Sequence, residues 1–323
     1  MIGGCIRRCG RLKPTATVRV GKPTAAMLAA VGLLLSACSG TSSGTGPPGP
    51  TPPPGATHLY VADVFDGALL IYTLPISNSS TPTALSTSTI FSVATDPSSS
   101  TFADSAGGSV ALFTRPITSS STPFATLGQG TASSGYAFFA NSGKLYVSTN
   151  GPQVNVFTPP FVTGNLPTTI TNGAGPTSSL GIAFDSASNL YVTNNDGTHA
   201  VDAFAPPYSS APLVITNAGT ALRDCVVIGQ QLFVSDVADV SGGQITVYDL
   251  PLTVSSTPAF EIANGTDIPE GLATDGGGNL YVNNSGNGAI AVYTPPFGAG
   301  SSPVIYLDAN SGVGGLFGLA IGS

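Results

Sequence analysis

The sequence predicts an all-β fold, a six-bladed β-propeller of four-stranded blades over residues 58–323. Three observations carry this. A strand, a tight turn and a second strand ending in proline recur six times. The spacing of the copies suits one propeller blade each. The one strand that the first copy lacks is found at the far end of the chain, where it would close the ring.

The recurring phrase is clearest in "LYVNNSGNGAIAVYTPPF" (280–297). Its second half recurs as "LLIYTLP", "VALFTRP", "VNVFTPP", "VDAFAPP", "ITVYDLP" and "IAVYTPP", ending at Pro75, Pro116, Pro160, Pro207, Pro251 and Pro296. The spacings are 41, 44, 47, 44 and 45 residues. Alternation divides each unit into strands. Strand A reads "GIAFD" (181–185), with "VATD" (93–96) and "GLATD" (271–275) as counterparts. Strand B is "LYVAD", "LYVST", "LYVTN", "LFVSD" or "LYVNN", and strand C is the proline-ended segment. A Ser/Thr/Pro loop then leads to strand D, such as "PLVIT" or "PVIYL". Proline at these strand ends fits, because it cannot donate a ladder hydrogen bond. The first unit begins at strand B. Its missing strand A is "FGLAIGS" (317–323), which matches "LGIAFDS", so the C-terminal strand completes blade one and hides its edge.

Two segments precede the propeller. Six of the nine basic residues lie in the first 22 positions, followed by an apolar run from Ala25 to Leu35. That run is too short to span a bilayer and reads as the core of a secretory signal over residues 1–37. The segment ends in "LSAC" (35–38), which resembles the lipobox of bacterial lipoproteins. The resemblance implies export, a lipid on Cys38 and anchoring to the cell envelope, with Ser39 fitting outer-membrane sorting in a two-membrane bacterium. Residues 38–57 are then the lipidated cysteine and a Gly/Ser/Pro tether. "GTSSG" (40–44) and "GTGPPG" (44–49) match the nucleophile-elbow and dinucleotide patterns but neither follows a strand nor opens a helix.

Charge limits the partners. Residues 38–323 hold three basic side chains (Arg115, Lys144, Arg223) against 16 acidic ones, a formal balance of 3 − 16 = −13. Such a surface repels phosphate backbones and argues against nucleic-acid binding. With Cys5 and Cys9 in the signal and Cys38 acylated, Cys225 stands alone, so no disulfide framework forms within one mature chain. In "CVVI" it reads as a small buried apolar residue. A monomer is the expected state.

The segments "GIAFDSASNLYVTN" (181–194) and "GLATDGGGNLYVNNSGN" (271–287) resemble NHL-type six-bladed propellers, with weaker copies filling the rest of 58–323. The resemblance implies the fold. Such propellers serve many purposes, and the basic surfaces that some relatives use are missing from this chain.

Candidate site residues follow from the blade pattern. Strand A is innermost, and its start meets the end of strand B on one face. The residues before strand A align as Phe91, Tyr136, Leu180, Asp224, Glu270 and Phe317, which puts two acids at the channel mouth. The ends of strand B align as Asp63, Asp104, Thr149, Asn194, Asp236 and Asn284. These hard oxygen donors suit Ca²⁺ or Mg²⁺ better than zinc. Gluconolactonase-like propellers resemble this in a channel metal held by Glu, Asp and Asn, and that likeness extends to Glu270 and Asp224. The competing reading is turn chemistry, in which Asp and Asn bond their own loops. His58 and His199 are the two histidines, and His199, near Asp196 and Asp202, reads as a turn residue rather than a base.

Two functions remain open. The first is an envelope lipoprotein whose propeller is a binding or scaffold module for a protein, peptide or glycan. The second is a calcium-dependent hydrolase or lyase with its site in the channel.

Overall fold

A computed structural model of the chain describes residues 56–323 apart from 87–89, 99–100, 107, 129–134, 172–177, 197, 217, 238–241 and 309–314. The signal segment, Cys38 and most of the tether lie outside the described residues.

Those residues form a six-bladed β-propeller. Blade one has β1 (His58–Asp63), β2 (Ala68–Thr73) and β3 (Thr83–Ser86). Blade two is β4 (Ser92–Thr95), β5 (Thr101–Ala106), β6 (Ser109–Thr114) and β7 (Ala125–Gly128). Blade three is β8 (Ala137–Phe139), β9 (Leu145–Ser148), β10 (Gln153–Phe157) and β11 (Thr168–Thr171). Blade four is β12 (Ser179–Phe184), β13 (Leu190–Asn194), β14 (Val201–Phe204) and β15 (Leu213–Ile215). Blade five is β16 (Leu222–Ile228), β17 (Gln231–Asp236), β18 (Gln244–Asp249) and β19 (Phe260–Ile262). Blade six is β20 (Pro269–Thr274), β21 (Leu280–Asn284), β22 (Ala289–Tyr293) and β23 (Ile305–Asp308). The last strand, β24 (Leu316–Gly322), pairs antiparallel with β1, so blade one reads β24-β1-β2-β3 as expected. The inner strands of successive blades touch in order around the ring. All six repeat-ending prolines follow a cis peptide bond.

The "LYV" motif explains the core. In blade four Leu190 and Val192 face back into the cluster shared with Tyr146 of blade three, while Tyr191 faces forward into the cluster with Leu232 and Val234 of blade five. Period-2 alternation thus sends two aliphatics to one seam and one aromatic to the other. Two of these buried phenols, Tyr191 and Tyr281, donate to Asp185 and Asp275, which also cap their own turns.

The residue after "LYV" is a staple between blades. Thr193 Oγ1 accepts from Gly181 N in its own blade (2.8 Å) and donates to Arg223 O of the next (2.5 Å). Asn283 does the same between Gly271 N and Phe317 O, and Ser105 reaches Gly135 O at 3.0 Å. In the Thr193 and Asn283 staples these bonds satisfy inner-strand groups that a bulge leaves outside the ladder. The inner strands approach closely there: a β-carbon on Gly181 would lie 2.5 Å from Asp224 Cα, so glycine is required.

Register changes the alignment at two places. Asp104 is not the end of strand B. It pairs with Val93 and is followed by Ser105 and Ala106, which puts it where the other blades carry Val61, Val147, Val192, Val234 and Val282. "FAD" in blade two imitates "VAD" in blade one, but β5 runs two residues further. In blade five Leu222 pairs with Asp236, and the bulge places Arg223 level with Leu180 and Glu270 and puts Asp224 one residue deeper. Tyr136 is likewise one step deeper than Phe91, because Ala137 pairs with Val147.

Candidate functional site

The channel is divided at its waist. Tyr136 crosses it from blade three and donates from its hydroxyl to Glu270 O of blade six, on the opposite side, at 2.9 Å. The other waist positions are Ser92, Gly181, Asp224, Gly271 and Gly318, so Tyr136 is the only side chain there long enough to span the gap. Burial, with the charges of Glu270 and Asp224 behind it, holds the phenol far above its ordinary pKa, so it remains a donor.

Above this floor lies a cup of about 290 Å³ at the mouth. One half is aromatic: Phe91 and Phe317 have ring centroids 5.1 Å apart, and Phe91 meets Tyr136 edge-on at 5.7 Å. The other half is polar and comes from successive blades: Asn150, Asn195, Arg223 and Glu270. Arg223 Nε lies 3.0 Å from Glu270 Oε2. The separation is that of an ion pair, but the N–H is not aimed at that oxygen, so the contact is charge pairing rather than a directed hydrogen bond. Burial raises the Glu270 pKa, and Arg223 partly offsets this. Asn150 accepts from Ser178 through Oδ1 (2.7 Å). Among the described residues, Asn150 Nδ2, the side-chain amide of Asn195 and both Nη atoms of Arg223 make no hydrogen bond to protein.

Below the floor a second cavity of about 250 Å³ opens toward the opposite face, with Val93, Phe138, Ile182, Val226 and Leu272 among its walls and Asp224 at its inner end. Asp224 is a structural acceptor: Oδ1 takes Cys225 N (2.8 Å) and Oδ2 takes Leu272 N of the next blade (2.9 Å). Burial pushes its pKa up to about 7 despite these two bonds. Glu270 and Asp224 therefore serve different cavities, and Arg223 replaces Asp224 at the mouth. Cys225 beside it is a buried thiol with a raised pKa, an inert small apolar residue.

The strand-end positions hold loops. Asp236 accepts from Thr220 N, Thr220 Oγ1 and Ala221 N. Asn284 accepts from Asp267 N and donates to Gly265 O. Asp63 caps Asp66 N at 3.1 Å, and Thr149 donates to Gln153 O at 2.8 Å. Asn194 is buried, and its Oδ1 is unpaired among the described residues. His199 sits at φ +43° with Nδ1 buried and unpaired among the described residues.

This donor set does not fit a calcium ion. Ca²⁺ takes six to eight convergent oxygens. Here the Asp224 and Asp236 oxygens are occupied by backbone N–H groups and Glu270 is paired to a cation. Among the described residues no three His, Cys, Asp or Glu side chains converge.

No protein-family model matches the chain, and no curated protein matches it. A solved protein of unknown function from Bacteroides caccae is similar with a TM-score of 0.62 and 14% identity, over 83% of this chain and 99% of that one. The WD40 β-propeller domain of Doa1 is similar with a TM-score of 0.54 and 11% identity, over 74% of this chain and 75% of that one. At such identities the likeness shows the fold alone.

Proposed function

We propose that this chain is an envelope lipoprotein, anchored through Cys38, whose propeller is a binding module with the mouth cup as its site. One observation carries the choice of site. The hydrogen bond from Tyr136 to Glu270 O gives the cup a closed floor, so it can seat the end of a ligand instead of passing it through. The rigid ring favours recognition, since the polar groups lie on inner strands and short turns held by staples. Metal-dependent hydrolysis is the weaker reading, because its two acids open into separate cavities.

The test has two parts. Wild-type chain expressed in a bacterial host should incorporate radiolabelled palmitate and fractionate with membranes, and Cys38→Ala should abolish both. Detergent-solubilised chain, immobilised, should retain material from a digest of envelope glycans and peptides, and an Arg223→Met, Glu270→Met double variant should retain little. Aqueous fractionation of wild type would overturn the anchor. Equal retention by both proteins would overturn the site.

A further inference from the structure

We infer that the mouth cup takes a neutral sugar residue, the exposed end or branch of an envelope glycan; this rests on the mouth being the binding site.

Charge decides between ligand classes. The cup contains one cation and one anion, Arg223 and Glu270, already 3.0 Å apart. Their sum is zero, while the chain around them from residue 38 onward is strongly acidic. An anionic ligand would have to displace Glu270 from Arg223 and enter against that field. A cationic ligand would find the one mouth carboxylate already neutralised. A neutral ligand leaves the pair in place.

Hydrogen-bonding capacity then points to hydroxyls. Arg223 Nη and Asn150 Nδ2 offer donors, Glu270 an acceptor, and Asn195 both. A sugar edge presents adjacent hydroxyls that each donate and accept, so it can satisfy such a mixed row. Its opposite face carries polarised C–H groups, which suit the negative faces of aromatic rings. The Phe91–Phe317 pair stands across the cup from the polar row. An apolar peptide side chain would use the rings but leave the polar row desolvated and unpaired, which is costly. The cup, about 290 Å³, lies at the small end of ligand sites and fits a terminal residue rather than a buried chain.

Calorimetric titration of the detergent-solubilised full chain tests this. The probes are neutral hexose and N-acetylhexosamine disaccharides and tetrasaccharides, the corresponding uronate-containing sugars, and neutral pentapeptides. At least one neutral saccharide should bind saturably. Phe317→Ala should weaken it roughly tenfold, and Phe138→Ala, in the opposite cavity, should leave it unchanged. Glu270→Gln should shift preference toward the uronate sugar, because it frees Arg223 for a carboxylate. A folded Glu270→Gln protein with unchanged preference would contradict the charge argument. If wild type binds only peptides or acidic sugars, and Phe317→Ala still abolishes it, the sugar inference falls and the mouth reading stands. If no probe binds, the sugar inference falls. If binding depends on Phe138 instead, both fall.

Discussion

Asp104→Val should make the propeller substantially more stable at pH 8. Asp104 occupies the position where five blades carry a buried valine. Its strand neighbour on the same face, Phe102, packs with Tyr60 and Ala62 in the seam between blades one and two. Its Oδ1 has no hydrogen-bond partner among the described residues, and burial alone pushes its pKa up to about 7. The folded pKa exceeds the unfolded value, so the neutral acid is the form the fold prefers. The cost is absent below about pH 4, grows as pH rises toward 7 and is complete above it. A shift of about three units corresponds to about 4 kcal/mol for the ionised form. Valine has a similar volume and no charge. Asp104→Val should therefore raise stability at pH 8 by about 3 kcal/mol, or the melting temperature by roughly 6 °C or more, and do far less at pH 4. Asp224, also raised to about 7, has the same sign. Wild type should accordingly melt higher at pH 5 than at pH 8, and Asp104→Val should flatten that slope. Thermal melts of both proteins across this range check it. A variant that melts lower than wild type at pH 8 would contradict the account and mark Asp104 as a residue kept for another role.

Arg115→Ala should have the opposite effect. Arg115 is buried at the end of strand C of blade two, and its guanidinium holds the closing strand in place. Nη1 donates to the backbone oxygen of Ser323 and, at 3.1 Å, to its hydroxyl. Nη2 donates to Asp96 O at 3.0 Å, and the Tyr60 hydroxyl lies beside it. Thr95 Oγ1 adds a bond to Ile321 O at 2.6 Å. Gly322 is part of the fit, because a β-carbon there would lie 2.5 Å from Nη1. Removing the guanidinium leaves the buried Asp96 carbonyl unpaired and frees the end of β24 from blade two. The expected loss is about 3 kcal/mol, with β24 becoming the first site of proteolytic cutting. Arg115→Lys should recover only part of it, since an ammonium lacks the planar fork that reaches acceptors on both blades. Melting and limited proteolysis of the three proteins read this directly. An Arg115→Ala protein indistinguishable from wild type would refute the latch.

The blades and their closure were legible in the sequence because each depends on local signals. Proline ends strand C, alternation marks the seams, and "FGLAIGS" could pair only with the one blade short of a strand. Of the six positions that the repeat aligns before strand A, Phe91, Leu180, Glu270 and Phe317 line the cup at one level. The other two lie one residue deeper: Tyr136 because Ala137 is the partner of Val147, and Asp224 because a bulge puts Arg223 before it. In blade five no glycine marks the bulge, so the repeat pattern aligns Asp224 where Arg223 stands. The repeat pattern puts Tyr136 in the mouth ring, but its reach across to Glu270 depends on ring diameter, which one repeat does not encode. The staple residues were visible as a recurrent Ser, Thr or Asn after "LYV". Their role needs the next blade's carbonyl, about 30 residues on in the Thr193 and Ser105 pairs. At the strand ends Asp63 caps its own turn, whereas Asp236 and Asn284 bond the loop that precedes strand A of their blade, 15 to 19 residues away.

The central claim is that ligand is recognised at the mouth above the Tyr136 floor. The chain has no tryptophan, so one introduced indole reports from one place. Phe317→Trp puts it in the mouth wall and Phe138→Trp in the opposite cavity. Envelope glycan and peptide fragments are titrated into each protein and the indole emission is followed. The account predicts a saturable change at position 317 and none at 138. A change confined to position 138 would contradict it and move recognition to the other end of the channel.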